Sequence, residues 1–194
     1  MKIGIDLDDC VFDTSTPIIE RLNERFNIDI KWEDLNTFEL EDQYNLDKKE
    51  VNKIVQDILK TDLKSIISAV EVIKFFTYVC DAVYIISFRK QALLEHTIHN
   101  LTKIGLTNGR YSLLLTRARD KDGSPAKWKI VNENNIDIIV EDRAVTIESL
   151  YKNTKATILV FDKPWNRHIK ENDRIYIMER WSDIRNFVLG RLQG

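Results

Sequence analysis

Lys2-Ile3-Gly4-Ile5-Asp6-Leu7-Asp8-Asp9-Cys10 is a short apolar run that closes on a cluster of carboxylates. The apolar part reads as a buried strand. In open α/β sheets, ligands sit outside the carboxyl ends of the strands, so these acids fall at an edge where sites form. Asp6 and Asp8 are two positions apart and share a face if the extended geometry persists. Two carboxylates on one face repel unless a cation or a proton separates them. The stretch therefore reads either as a metal-assisted site or as a strained turn.

Composition narrows the setting. A chain of 194 residues suffices for one domain with a sizeable core, or one domain with a small insert. With 43% hydrophobic and 31% charged residues, it fits an ordinary soluble globular protein. A formal net charge of -2 gives no overall electrostatic case for nucleic acid as a partner. It leaves room for a small phosphorylated molecule, which local positive charge can serve. Cys10 and Cys80 offer neither metal-ligand spacing nor a disulfide framework, which points to a reducing, cytoplasmic setting. No signal peptide and no membrane span are expected.

Outward from the acidic stretch, residues 17–26 form an amphipathic pattern that Ser15 or Thr16 could cap, with Pro17 in the first turn. Residues 28–46 are polar with scattered aromatics, Trp32, Phe38 and Tyr44. Helices are expected over 47–59 and over 66–80, the latter starting near Ser68. Then the texture changes. Strands are expected at 82–86, ending at Ser87, and at 111–116, 136–140, 156–161 and 175–178, the last as an edge. Helices are expected at 90–104, from Ser124-Pro125-Ala126-Lys127 onward, after Glu141-Asp142, and at 181–192. Alternating strands and helices imply a Rossmann-like α/β fold, a parallel sheet with helices on both faces. Residues 14–65 interrupt that alternation and read as a small helical cap, leaving 1–13 and 66–194 as the core domain.

Parallel strands would gather their polar tips at one edge: Asp6 and Asp8, Ser87, and Glu141-Asp142, with Lys127 in the first turn of a helix. Hard Mg²⁺ favours such oxygen ligands together with substrate phosphate, and lysine and hydroxyl suit the remaining phosphate oxygens. In this order, Asp6-Leu7-Asp8, Ser87, Lys127 and Glu141-Asp142 resemble the four motifs of the haloacid dehalogenase (HAD) superfamily of phosphatases. The likeness spans essentially the whole chain. A nearer resemblance is to the 5'(3')-deoxyribonucleotidase (5'-nucleotidase type C-like) family. It rests on Ile5 to Asp9, on Lys127 followed by Ile136 to Asp142, and on Val160-Phe161-Asp162-Lys163-Pro164-Trp165-Asn166.

The resemblance implies roles. Asp6 would be the nucleophile and form an aspartyl-phosphate. Asp8 would protonate the leaving alkoxide and then deprotonate water. Asp6, the backbone carbonyl of Asp8 and Asp142 would hold Mg²⁺, with Glu141 as an outer or additional ligand. Ser87 and Lys127 would hold phosphate oxygens. Cys10 departs from the superfamily's usual Thr or Val, and Asp9 from the glycine frequent in the mammalian-type nucleotidases.

Plainer alternatives stand beside each role. Ser87 could cap the following helix, and Arg89 could be a phosphate-binding residue or a solvated first-turn arginine. Lys129 rivals Lys127. Glu141-Asp142 could be an ordinary acidic helix start. Trp165 reads as packing rather than a stacking platform. The three histidines show no ligand spacing. Arg117, Arg119 and Lys121 form a basic loop, either solvated or a secondary phosphate or nucleic-acid contact.

The expected activity is a Mg²⁺-dependent phosphomonoesterase acting on a nucleoside monophosphate, with Trp32, Phe38 and Tyr44 as candidates to enclose the base. The alternatives are the same chemistry on a sugar phosphate or a nucleic-acid 3'-phosphate, or a non-catalytic nucleotide- or metal-binding protein. A homodimer is left open.

Overall fold

The computed structural model describes residues 1–107, 109–120, 123 and 126–193. Lys121 of the basic loop, and Ser124 and Pro125 of the expected helix start, lie outside the described residues. Six strands form one parallel sheet: β1 (Lys2–Asp6), β2 (Ala82–Ser87), β3 (Ser112–Leu115), β4 (Ile138–Glu141), β5 (Thr157–Phe161) and β6 (Ile175–Met178), in spatial order β3-β2-β1-β4-β5-β6. The opening stretch is thus an inner strand, paired with β2 and β4, and its Asp6 lies level with Ile86. The expected strand 175–178 is an edge.

Parallel sheets need cover on both faces, and period-two alternation supplies apolar side chains to both. On β5, Leu159 and Phe161 join one buried cluster while Ile158 and Val160 join another. On β4, Val140 and Ile139 divide the same way. The first cluster takes in α4 (Ala69–Val79), α5 (Leu94–Lys103) and α8 (Trp181–Gln193). The second takes in α6 (Lys127–Glu133) and α7 (Ala144–Asn153). The expected helix over 90–104 resolves into a tight turn at Gln91–Leu93 followed by α5.

Residues 15–58 are helical: α1 (Ser15–Phe26), α2 (Leu40–Gln43) and α3 (Lys48–Ile58), with no strand between them. α1 packs on α3, and Asp47 caps α3 by accepting the N–H groups of Lys49 and Glu50 at 3.0 and 2.9 Å. The chain leaves for this segment and returns from it side by side. The Asp13 N–H donates to the Lys64 carbonyl at 3.0 Å, and the Ile66 N–H to the Val11 carbonyl at 2.8 Å. Leu22, Ile30, Leu35 and Ile54 share one cluster with Ile3, Ile5 and Leu7, so the segment has no separate core. Among the described residues, no helix is long and apolar enough to cross a membrane.

Gly4 matters because of where β1 runs. A Cβ there would meet Ile86 Cδ1 at 3.1 Å and two Ile136 methyl groups at 3.3 Å. Gly4→Val should therefore lower stability by about 1–3 kcal/mol through overpacking. Chemical denaturation of the variant against the parent chain measures it; an unchanged midpoint would contradict this packing.

Candidate active site

The carboxyl ends of β1 and β4 place Asp6 and Glu141 beside each other, and the first residue of α6 places Lys127 between them. Lys127 Nζ donates to Asp6 Oδ1 at 2.5 Å and to Glu141 Oε2 at 2.7 Å. All three side chains are at least nine-tenths buried. Glu141 Oε1 accepts the backbone N–H groups of Asp142 and Arg143 at 3.2 and 3.1 Å. Both its oxygens are thus engaged, and it faces the lysine rather than the gap between Asp6 and Asp142.

Asp142 is buried too, and it is braced from the loop after β5. Trp165 Nε1–H donates to Asp142 Oδ2 at 3.0 Å, and Asn166 Nδ2 donates to the Asp142 carbonyl at 2.6 Å and the Phe161 carbonyl at 3.0 Å. Ligand-type atoms of Asp6, Cys10 and Asp142 all lie within 4.8 Å of one another. Trp165 therefore does more than pack, and Asn166 acts beside it. The signal was in the sequence: an indole N–H needs a partner when buried, and an acid ends the strand before.

Asp9, without a role on sequence grounds, holds the start of α1, together with Asp13, whose Oδ1 accepts the Thr16 N–H at 3.1 Å. The Asp9 backbone turns into the left-handed region at φ 56°. Its carboxylate accepts the Thr14 and Ser15 N–H groups at 3.2 and 3.0 Å and their hydroxyls at 2.9 and 2.6 Å. Neither Ser15 nor Thr16 caps the helix, because the helix begins at Ser15 itself. Trp181 of α8 holds the same turn by donating its indole N–H to the Cys10 carbonyl at 2.9 Å.

Asp8 points outward from this turn and is partly exposed. Arg89 grips it, with Nη2 on Oδ1 at 2.6 Å and Nε within 3.1 and 3.2 Å of the two oxygens. Arg89 is almost fully buried, not a solvated first-turn arginine. Ser87, at the tip of β2, is buried and accepts the Arg89 N–H at 3.2 Å, so it turns the loop instead of capping α5.

Electrostatics follow from burial. Three buried carboxylates, Asp6, Glu141 and Asp142, lie near one buried ammonium, which pairs with the first two, so full ionisation leaves two uncompensated negative charges. Burial, helped by Glu141 and Asp8 and opposed by Lys127, pushes Asp6 up from 3.8 to about 7. Burial and the charges of Glu141 and Asp6 hold Asp142 well above the usual carboxylate range. Burial works against the Lys127 charge, but Asp6 and Glu141 outweigh it and raise its pKa. Burial and then Asp142 keep Cys10 a neutral thiol.

No protein-family model matches the chain, and no curated protein matches it. Solved structures do. A predicted phosphatase from Clostridium acetobutylicum superposes with a TM-score of 0.69 at 13% identity, covering 97% of this chain and 98% of that one. A conserved haloacid dehalogenase-like protein of unknown function from Agrobacterium tumefaciens gives 0.67 at 15% identity, covering 98% of each chain. A HAD family hydrolase from Deinococcus radiodurans, with bound phosphate and sodium, gives 0.61 at 13% identity, covering 99% of this chain and 96% of that one. This is the haloacid dehalogenase-like fold.

A cavity of about 300 Å³ in this HAD-like fold reaches the acids through Arg143, whose N–H Glu141 accepts, and Trp165, which donates to Asp142. Phe38, Glu39 and Asn52 wall it from the helical segment, and Arg119, Arg143 and Trp165 from the loops after β3, β4 and β5. Arg143 pairs with Glu39 across this junction and lies 4.6 Å from the Phe38 ring centroid. Of the three expected base-enclosing aromatics, the structure brings only Phe38 to the cavity. Trp32 stacks edge-on against Trp165 at 5.3 Å, and Tyr44 packs on the apolar cluster. The basic loop is not simply solvated: Arg117 and Arg119 both lie on the Phe88 ring, at 4.5 and 4.7 Å.

The raised Asp6 has a consequence for stability. Between 3.8 and about 7 the folded, metal-free protein binds more protons than the unfolded chain, so its stability falls as pH rises through that window. Urea unfolding in chelator at pH 5 and pH 7.5 should show the loss, and Asp6→Asn should flatten it. A variant whose slope matches the parent would place the protonation elsewhere.

Proposed function

We propose that the protein is a Mg²⁺-dependent phosphomonoesterase working through a phosphoaspartate on Asp6, with a nucleoside monophosphate, foremost a deoxynucleotide, as substrate. The observation that carries this reading is the Asp6–Lys127 contact beside the braced Asp142, at the carboxyl edge of the inner strands. A carboxylate nucleophile needs a cation to keep it from repelling a phosphate dianion, and this one has an ammonium on one side and an oxygen-ligand gap on the other.

The residues fit a hard divalent ion. Two uncompensated negative charges and oxygen donors suit Mg²⁺, while Cys10, held neutral, adds no soft thiolate. Asp6, Asp142 and the backbone carbonyl of Asp8 would hold the ion. When bound, it supplies charge neutralisation between nucleophile and phosphate. Glu141 then serves by orienting Lys127, since both its oxygens are spoken for.

Asp6 attacks phosphorus as the ester P–O bond breaks, and Asp8 gives its proton to the departing alkoxide. Asp8 then takes a proton from water as the water oxygen attacks phosphorus and Asp6 leaves. Lys127 and the Ser87 hydroxyl hold phosphate oxygens meanwhile. Residues 14–65 act as a cap that excludes water and sorts substrates by size. The cavity's volume suits a mononucleotide, and the Phe38 ring offers a face for a base. The Arg117–Phe88–Arg119 stack favours a second reading, a nucleic-acid 3'-phosphate end whose backbone lies on that rim.

Phosphate release from mononucleotides, sugar phosphates and 3'-phosphorylated oligonucleotides should favour mononucleotides, stop with chelator and stop in Asp6→Asn. No release from any ester, or release that survives Asp6→Asn, would end the phosphatase reading; preference for the oligonucleotide would transfer the substrate to the rim. Phe38→Ala should raise KM for nucleotides by about tenfold and leave KM for a small generic phosphate unchanged. Equal changes for both would make Phe38 a packing residue.

A further inference from the structure

Arg89 stands behind the residue assigned to proton transfer, not in front of it. Its side chain is 1% exposed, while that of Asp8 is 25% exposed. Of the two, Asp8 is the side chain a bound molecule can reach. Two contacts fix the guanidinium from behind, and one of them is itself braced. Its Nη1 donates to Thr97 Oγ1 at 3.2 Å, that hydroxyl donates to the Leu93 carbonyl at 2.8 Å, and the guanidinium carbon lies 5.8 Å from the Phe12 ring centroid. The fork then spans both Asp8 oxygens unequally. Oδ1 receives Nη2 at 2.6 Å and Nε at 3.2 Å, whereas Oδ2 receives only Nε, at 3.1 Å.

We propose that Arg89 is a positioning residue for Asp8, locking its carboxyl plane so that Oδ2 is the oxygen that carries the proton to the leaving group. This rests on the phosphomonoesterase reading above. The planar fork matters as much as the charge: lysine offers a point charge and cannot fix a carboxyl plane. In the first step, Oδ2–H passes its proton to the ester oxygen as the P–O bond breaks and the Asp6–phosphorus bond forms. In the second, Oδ2 takes a proton from water as the water oxygen bonds phosphorus and Asp6 is released. Arg89 exchanges no proton in either step. It keeps Oδ2 aimed while Oδ1 stays saturated.

The arrangement separates from a phosphate-binding or merely structural role by the leaving group. Proton transfer matters for an alkoxide and little for a stabilised phenolate. For Arg89→Lys, kcat/KM for an alkyl phosphate should fall about 10- to 100-fold, the scale of a misplaced general acid. For p-nitrophenyl phosphate it should change by less than about threefold. Thr97→Val, a near-isosteric change that removes only the brace, should shift the same ratio in the same direction and more weakly. Its thermal midpoint and that of Arg89→Lys are read alongside. In an Asp8→Asn background, Arg89→Lys should leave the ratio unchanged, because residues acting as a unit are not additive.

Equal losses on both esters in both variants, or a full further loss in the Asp8→Asn background, would overturn the positioning role. That result leaves the phosphatase reading standing as long as the parent enzyme cleaves both esters in an Asp6-dependent way. A parent protein that cleaves neither takes both down together.

Discussion

One buried ammonium holds this structure's chemistry in place. Lys127 bridges Asp6 and Glu141, which come from the ends of adjacent strands, and does so from the first residue of a short helix. Burying charges is unfavourable unless each finds a partner, and removing one partner from such a set is far costlier than the set is worth. Every member here has its partner: Glu141 has two backbone N–H groups as well as the lysine, and Asp142 has an indole and a neighbouring thiol. Full ionisation of the cluster would still leave an excess of negative charge, and burial relieves it by raising Asp6 and Asp142. That imbalance is kept in place by the packing of two apolar clusters on either face of the sheet.

Much of the architecture was legible because its signals are local. Runs such as Ile138–Glu141 and Thr157–Phe161 are β-branched and end in turn or acidic residues, and their alternation already divides them between two faces. The acids of the site could be read from their positions at strand ends. Partner choice is a different matter. Asp13 lies three residues before Thr16 and accepts its N–H, but nothing in residues 13–17 says that Asp9, upstream and in a left-handed turn, will take the Thr14 and Ser15 N–H groups. Arg89 reads on paper as a phosphate-binding residue or a first-turn surface arginine, and contacts with buried Phe12 and Thr97 hold it inward against Asp8. Trp32 and Tyr44 looked equal to Phe38 by composition. Their directions were set by Trp165 and by the apolar cluster, contacts of long sequence separation that no periodicity encodes.

The helical segment illustrates how packing limits function. Its apolar residues merge with the cluster beneath the sheet, and the Arg143–Glu39 pair ties it to the loop after β4. A segment so joined does not float as a separate body. The junction is made of the Arg143–Glu39 pair, the Arg143–Phe38 and Lys163–Trp32 contacts and the Trp165 edge.

The indole of Trp181 reaches the carbonyl of Cys10 across 171 positions of chain. On a ribosome, the acidic turn emerges well before the helix that anchors it. Its strand waits as well, since β1 pairs with β4, and Lys127 meets Asp6 only after 121 further positions have been synthesised. Such distant closure slows folding. In a nascent chain the acids of β1 therefore stay apart from Lys127 and from the Trp181 anchor until segments far downstream have folded, and the buried cluster assembles late.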